Sequence, residues 1–347
     1  MSKRSKICRG EMEDRISSLP DEVLHLILSH LNTKLAVQTC VLSQRWEYLW
    51  TGVSTLCLSN SSFPNAHSYS NFLDHVFSKR DHSKTVRQFK ISFPRLDKRA
   101  SKLALDFLVS HGRDIQDLLI SFNHEWQWGH LRKPYWNLFR AWDSLKTLTL
   151  QSVSIPVNVE YKFASLISLH LLACMLEDDD RSYRIGGPCL VGNIKITAPQ
   201  LKEFIMSDTS VQEDVDPDFD IILSFPKLIS FCFEGEPMRI SFPYRPVLQK
   251  LFVDFYTSLV YDLIGLFGEI DGAKPVTLTE ETIWDLSNDP DVAKGKQPPF
   301  GGIEELKIIF ERTKSEMVNN FSFTVPSCVL TYLQTMPQGA IFPMFSI

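Results

Sequence analysis

One short pattern constrains this chain more than anything else in it. The arrangement apolar, two variable positions, apolar, one variable position, apolar recurs from residue 53 onward. The copies are VSTLCL at 53, VRQFKI at 86, IQDLLI at 115, LKTLTL at 145, LISLHL at 166, LKEFIM at 201, LISFCF at 228, LQKLFV at 248, AKPVTL at 273 and IEELKI at 303. AKPVTL is a weaker copy, because Pro275 stands inside the expected strand and has no N–H for a ladder. In each copy the alternation turns the second and third apolar residues inward and the residue between them outward. A single unit of this size cannot bury its apolar face alone, so the copies must stack on one another.

The starts run from 53 to 303, and their steps average about 28 residues, within the leucine-rich-repeat range. The expected fold class is therefore α/β, an irregular leucine-rich-repeat solenoid with a parallel sheet on the concave side. VGNIKI at 191 lies only ten residues before the copy at 201 and is expected as an extra strand in the same repeat. Helices are expected between early copies. SYSNFLDHVFSKR places Phe72, Leu73, Val76 and Phe77 on one face, and SKLALDFLVSHG does so with Leu103, Phe107 and Leu108. LRKPYWNLFRAW and YTSLVYDLIGLFGEI are two further candidates. Steps of 21 and 20 residues, after 145 and 228, leave no room for a full helix and predict irregularity there.

The outward middle positions are Lys90, Leu119, Thr149, His170, Ile205, Cys232, Phe252 and Lys307. Leu119, Ile205 and Phe252 are the target-binding candidates on this face, since apolar side chains in one patch call for a partner or an overlying loop. Trp126 and Trp128, in FNHEWQWGHLRKPYW, have the composition of an interaction hot spot, with burial under the adjacent helix as the alternative. The 24 Phe residues are expected to fill uneven gaps in the core.

Before the repeats, LPDEVLHLILSHL at 19 reads as an amphipathic helix. Ser18 is a candidate cap, Pro20 suits the first turn, and Asp21 and Glu22 favour the positive helix end. Val23, Leu24, Ile27, Leu28 and Leu31 make one wide apolar stripe. TKLAVQTCVL and SQRWEYLW predict a second and a third helix, the last with Ser43 as its cap. Three helices in about forty residues bury too little surface to stand alone. They need the rest of the chain, a partner, or both.

Residues 14 to 53 closely resemble the F-box in its plant-type form. The marks are Leu19-Pro20, the Leu24/Ile27/Leu28/Leu31 spacing, and Val41-Leu42-Ser43-x-Arg45-Trp46 followed by Leu49-Trp50. The resemblance implies that these helices pack against the SKP-type adaptor of a cullin-based ubiquitin ligase. It implies Leu19, Pro20, Leu24, Ile27, Leu28, Val41 and Leu42 as adaptor-binding residues. Arg45 is either a contact or a support for the third helix, and Trp46 and Trp50 tie the F-box to the next domain. TVPSCVLTYLQTM, near the end, resembles the opening of the FBD domain that follows the repeats in many plant F-box proteins. The chain stops soon afterward, so the FBD is expected to be absent or cut short.

Composition removes several function classes. The net charge of −5 and pI near 6.0 give no basic face for nucleic acid. MSKRSKICRG has no apolar run after it and reads as a solvated basic arm, with a nuclear signal as the alternative. From Met317 onward no residue is charged, but Pro326, Pro337 and Pro343 break the run, so no spanning helix and no membrane are expected. The seven scattered cysteines read as reduced thiols of a cytoplasmic or nuclear protein. The acids of DVDPDFD lack the glycine of a calcium loop, and Phe225 stands where its last glutamate belongs. No P-loop, nucleophile elbow or HExxH motif is present. No metal, no cofactor and no catalytic residues are expected.

The expected organisation is a basic arm over 1–12, a three-helix F-box over 13–52, the solenoid over 53–316 and an uncharged FBD-like tail over 317–347. The expected function is substrate recognition for an SCF-type ubiquitin ligase. The partners are the adaptor, through it a cullin, and an unknown target protein. A scaffold that binds the adaptor without presenting a target, and a small-molecule receptor, are the alternatives.

Overall fold

The computed structural model describes residues 16, 18–93, 98–122, 129–130, 142–177, 193–211, 219–236, 238–255, 266, 269–270, 276–288, 292, 306–310, 325–329 and 345–346. Two helices open it, α1 (Asp21–Ser29) and α2 (Thr33–Gln38), and 3-10 turns follow at Thr39–Val41 and Leu49–Gly52. Asn32 caps α2 by accepting from Leu35 N–H at 2.9 Å. The N-cap of α1 is Pro20, with no side-chain bond, so Ser18 does not cap it. The expected third helix is replaced by i→i+3 turns, Trp46 N–H to Ser43 O and Glu47 N–H to Gln44 O. Ser43 Oγ finds no partner and supplies no cap. An uncapped run rich in Trp and Tyr has little helix propensity to resist the tighter winding.

All ten copies of the repeat are strands. They are β1 (Thr55–Leu58), β2 (Gln88–Phe93), β3 (Asp117–Phe122), β5 (Thr147–Gln151), β8 (Ser168–Leu172), β11 (Glu203–Val211), β13 (Ser230–Gly235), β15 (Lys250–Phe255), β16 (Val276–Thr279) and β17 (Leu306–Phe310). They pair in that order, each parallel to the next, and β18 (Phe345–Ser346) joins beyond β17. β16 begins just after Pro275. The leading apolar residues Val53, Val86, Ile115, Leu145, Leu166, Leu201, Leu228 and Leu248 are all buried, as are the strand pairs Phe89/Ile91, Leu148/Leu150, Phe204/Met206 and Phe231/Phe233. The second residue of each early copy repeats one device. The carbonyls of Ser54, Arg87, Gln116, Lys146, Ile167, Lys202 and Ile229 each accept two successive N–H groups from the next repeat. Those paired bonds fix the register from coil to coil.

The outer wall changes along the solenoid. In the first repeats it is helical, α3 (Ala66–Lys79) and α4 (Lys98–His111), as expected. Phe77 and Phe107 stack on each other at 4.6 Å and on Phe89 of β2 at 6.3 and 5.6 Å. From the fourth repeat the wall becomes a second parallel sheet, formed by β7 (Val159–Lys162), β10 (Asn193–Thr197), β12 (Asp220–Ser224) and β14 (Arg239–Ser241). The extra strand expected at 191 is β10, and it belongs to this second sheet. Between the walls run β4 (Gly129–His130), β6 (Val153–Pro156) and β9 (Met175–Glu177), with β9 pairing the far end of β11. A further helix, α5 (Glu280–Asn288), follows β16. The short repeats thus replace helices with strands, which span the same distance with fewer residues.

The chain leaves the main ladder through left-handed backbone. Ser152, Ala173, Asp208 and Gly235 follow Gln151, Leu172, Ser207 and Glu234, which stand in register on β5, β8, β11 and β13, and have φ of 53°, 48°, 50° and 140°. A different glycine makes a close approach. A Cβ on Gly112 would lie 2.0 Å from Cζ2 of buried Trp142. Gly112→Ala is expected to cost about 1–3 kcal/mol by overpacking, read as a lowered Tm. An unchanged Tm means that Trp142 has room to move.

The F-box caps the first strand. The N–H of Cys57 in β1 donates to Thr33 Oγ1 of α2 at 2.8 Å, and Thr33 is buried. Trp46, Leu49 and Trp50 belong to the same continuous core as the repeats, and Trp50 stacks with His75 of α3 at 6.1 Å. Covering β1 also blunts an edge that would otherwise template strand pairing. At the other end, Val329 is fully buried and β18 pairs with β17, so described parts of the expected tail share the core.

Candidate functional site

Two surfaces stand out, one at each part of the fold. The first is on the F-box. Helix α1 is apolar on both sides. Leu24 and Leu28 point inward at 0% and 1% exposure, while Val23, Leu26 and Ile27 face solvent. The F-box resemblance implies Leu24, Ile27 and Leu28 as adaptor contacts, but Leu24 and Leu28 are core residues, because side chains already buried have no surface to offer. Val41 and Leu42 are 83% and 63% exposed, and Leu35 and Tyr48 are exposed as well. Pro20 is exposed and Leu19 half-buried. Residues 23, 26 and 27 follow helical spacing, so the second stripe was readable as such, but its solvent exposure was not.

Arg45 holds this surface in shape. Its guanidinium donates to Leu19 O at 2.5 Å and to Asp21 Oδ1 at 2.6 Å. It therefore fastens the turn after Leu42 to the start of α1. The same hydrogen bond holds the Asp21 carboxyl below the usual carboxylate range. The bonds of Arg45 run to the start of α1 rather than to a third helix, and its side chain keeps 37% exposure.

The second surface is the face of the main sheet turned away from α3 and α4. Lys90, Leu119, Thr149, His170, Ile205, Cys232, Phe252 and Lys307 fall in one row across the ladder, with Cys57 and Thr277 in the same row. Leu119, Ile205 and Phe252 are half-buried. Ile205, Cys232 and Phe252 stand on adjacent strands, whereas Thr149 and His170 separate Leu119 from them. Polar side chains flank the row. Gln88 donates to Asp117 at 3.0 Å, and Ser121 donates to Gln151 at 3.1 Å. Trp126 and Trp128 lie outside the described residues.

Ser168, His170 and Glu203 form a cluster on this face. Ser168 Oγ donates to Glu203 Oε2 at 2.8 Å, and it lies 2.8 Å from His170 Nε2, which is itself 3.2 Å from Glu203. All three meet at the same ring nitrogen. A hydrolytic triad needs the carboxylate on the other nitrogen, so that Nε2 is free to take the serine proton. Here the serine proton already belongs to the carboxylate, and the cluster is a polar clamp between β8 and β11.

An apolar cavity of about 20 Å³ lies between the two sheets, lined by Leu148, Leu150, Ile155, Phe163, Ile194 and Met206 among others. It offers a water no polar partner, so it stays dry as a packing void. Cys40, Cys57, Cys174, Cys232 and Cys328 are free thiols. Burial pushes the Cys174 thiol up to about 12, which leaves it unreactive. Among the described residues no group of three or more His, Cys, Asp or Glu converges to hold a metal, and no helix is long and apolar enough to cross a membrane.

The model of the F-box domain matches residues 16–58, the segment that carries α1, α2, both turns and β1. An F-box/FBD/LRR-repeat protein of Arabidopsis thaliana is 38% identical over 193 residues, covering 56% of this chain and 41% of that protein. A putative F-box/FBD/LRR-repeat protein of the same plant is 31% identical over 230 residues, covering 62% and 50%. Residues 16–58 form an F-box domain, and the chain is similar to F-box/FBD/LRR-repeat proteins of this plant. An FBD-associated F-box protein of Arabidopsis thaliana is 44% identical over 84 residues, 24% of this chain and 19% of that protein. This F-box protein spans half or less of the length of these relatives. The two surfaces now have distinct settings, one on the F-box and one on the repeats.

Proposed function

We propose that this F-box protein is the target-recognition subunit of an SCF-type ubiquitin ligase, acting in the cytoplasm or nucleus. The F-box binds the SKP-type adaptor and through it a cullin, and the repeat face holds a target protein. The observation that carries the reading is the second apolar face of α1, together with exposed Val41 and Leu42, which the core of the described residues does not use. A helix with apolar residues on two sides is at home only when both are covered. Each Leu, Ile or Val side chain buried there is worth about 1.5–3 kcal/mol. Several together exceed the low end of the association cost, about 4 kcal/mol. The contribution to ubiquitin transfer is proximity, with the chemistry supplied by other subunits.

Val41→Asp combined with Leu42→Asp tests this. Both side chains are exposed, so the fold survives the change. Adaptor recovery in a pull-down is expected to fall by about 100-fold, the effect of losing roughly 3 kcal/mol. Undiminished recovery refutes the assignment. Leu28→Asp is unsuited to the purpose, since it places a charge in the core and disrupts the F-box itself.

A further inference from the structure

We infer that the repeat face takes a target segment in which an apolar side chain is flanked by lysine or arginine, and that it rejects acidic or phosphorylated segments. The inference rests on the target-recognition reading and specifies the chemistry of the target.

Ile205, Cys232 and Phe252 are in register on β11, β13 and β15. Neighbours in such a ladder stand about 4.8 Å apart, so the three form a floor roughly 10 Å long. That length seats one or two apolar side chains. Carboxylates lie on both sides of this floor. Glu203 precedes Ile205 by two residues on β11, and Glu234 follows Cys232 by two on β13, each about 7 Å along the strand from the apolar row. The Glu203 side chain is 44% exposed. Its carboxyl is held below the usual range by the bond from Ser168, and next by His170, so it is charged at neutral pH. Glu234 accepts from Ser207 Oγ at 2.8 Å. A carboxylate offers about four lone-pair sites, so these bonds leave room for an ammonium or guanidinium.

The remaining charges in the three rows on these strands are Asp254 and Lys250. Asp254 is 7% exposed and accepts from Thr279 Oγ1 at 2.6 Å, so it adds to the field rather than to the contact surface. Lys250 is the opposing cation, in the same row as Glu203 and two strands away. Lys307 stands two strands beyond Phe252. Three carboxyl groups against one lysine leave the floor negative. Cys232 reports the same field. Its thiol is pushed up to about 11, by burial first and then by Glu234, Glu203 and Asp254. The same carboxylates repel a phosphate, which carries nearly two negative charges.

A synthetic peptide array with randomised positions, including phosphoserine, tests the inference on the full chain bound to its adaptor. The wild type is expected to prefer Lys or Arg beside Leu, Ile or Phe by about tenfold over Asp, Glu or phosphoserine. Glu203→Gln with Glu234→Gln is expected to erase that preference while adaptor recovery stays unchanged. Preference for acidic or phosphorylated peptides overturns the inference, and so does equal retention of basic peptides by the double variant. Absence of binding by any peptide overturns it as well. Acidic peptides whose capture is abolished by Phe252→Asp leave target recognition standing and remove only the basic chemistry. Adaptor binding is read separately through Val41 and Leu42.

Discussion

Phe204→Ala is expected to lower the unfolding free energy by about 3–5 kcal/mol, a large part of what holds a domain of this kind together. Phe204 is fully buried on the inner side of β11, at the place where the main sheet faces the second one. Its ring lies 5.4 Å from Phe225 and 5.7 Å from Phe231, and Phe231 meets Phe242 edge-on at 5.7 Å. Removing the first ring deprives two others, Phe225 and Phe231, of contacts, and loosens the Phe231–Phe242 pair beyond them. Each coil of a solenoid leans only on its neighbours, so a defect at β11 separates the array into two weakened halves. Denaturant unfolding measures the loss, and hydrogen exchange is expected to show faster opening on β8, β11 and β13 together. A change below about 1 kcal/mol means that the neighbouring side chains collapse into the space and the aromatic chain adds little.

The register of the main sheet was readable because period-2 alternation and a buried leading residue reinforce each other in every copy. A slip of one residue would expose Phe89 and Ile91 and bury Lys90. The second sheet was not readable, for a backbone reason. The chain leaves the main ladder through left-handed residues at four in-register positions, and three of those four are Ser152, Ala173 and Asp208 rather than glycine. Only Gly235 carries the usual mark. Tertiary pairing holds the other three in a conformation their side chains disfavour, which no local rule foresees. The F-box shows a similar limit. The apolar positions of α1 were plain, but their division into a core side, Leu24 and Leu28, and an open side, Val23, Leu26 and Ile27, depends on where the Leu49–Gly52 turn packs against the helix. Ser18 and Ser43 looked like caps by residue type alone, and neither position uses one.

Trp50→Ala is expected to cost about 3–5 kcal/mol and to unfasten the F-box from the solenoid. The indole is 5% exposed and stacks with His75 of α3, while the bond from Cys57 N–H to Thr33 Oγ1 joins α2 to β1. The F-box is thus built as the first coil of the array, which answers how helices too short to stand alone stay folded. If so, hydrogen exchange in the variant will rise in α1, α2, β1 and α3 as one unit. A rise confined to α1 and α2 indicates that the F-box opens by itself on a hinge, and the shared core is then not what holds it. The consequence for the proposed role follows from geometry. A ligase subunit that works by proximity gains from holding its adaptor face and its target face at a fixed angle, because a loose joint spreads the target over many unproductive positions. Trp50→Ala, assayed below its melting point with adaptor and target peptide both still bound, is therefore expected to slow ubiquitin transfer more than it weakens either contact. Equal losses in binding and transfer sink the idea that the joint, rather than the surfaces, sets the rate.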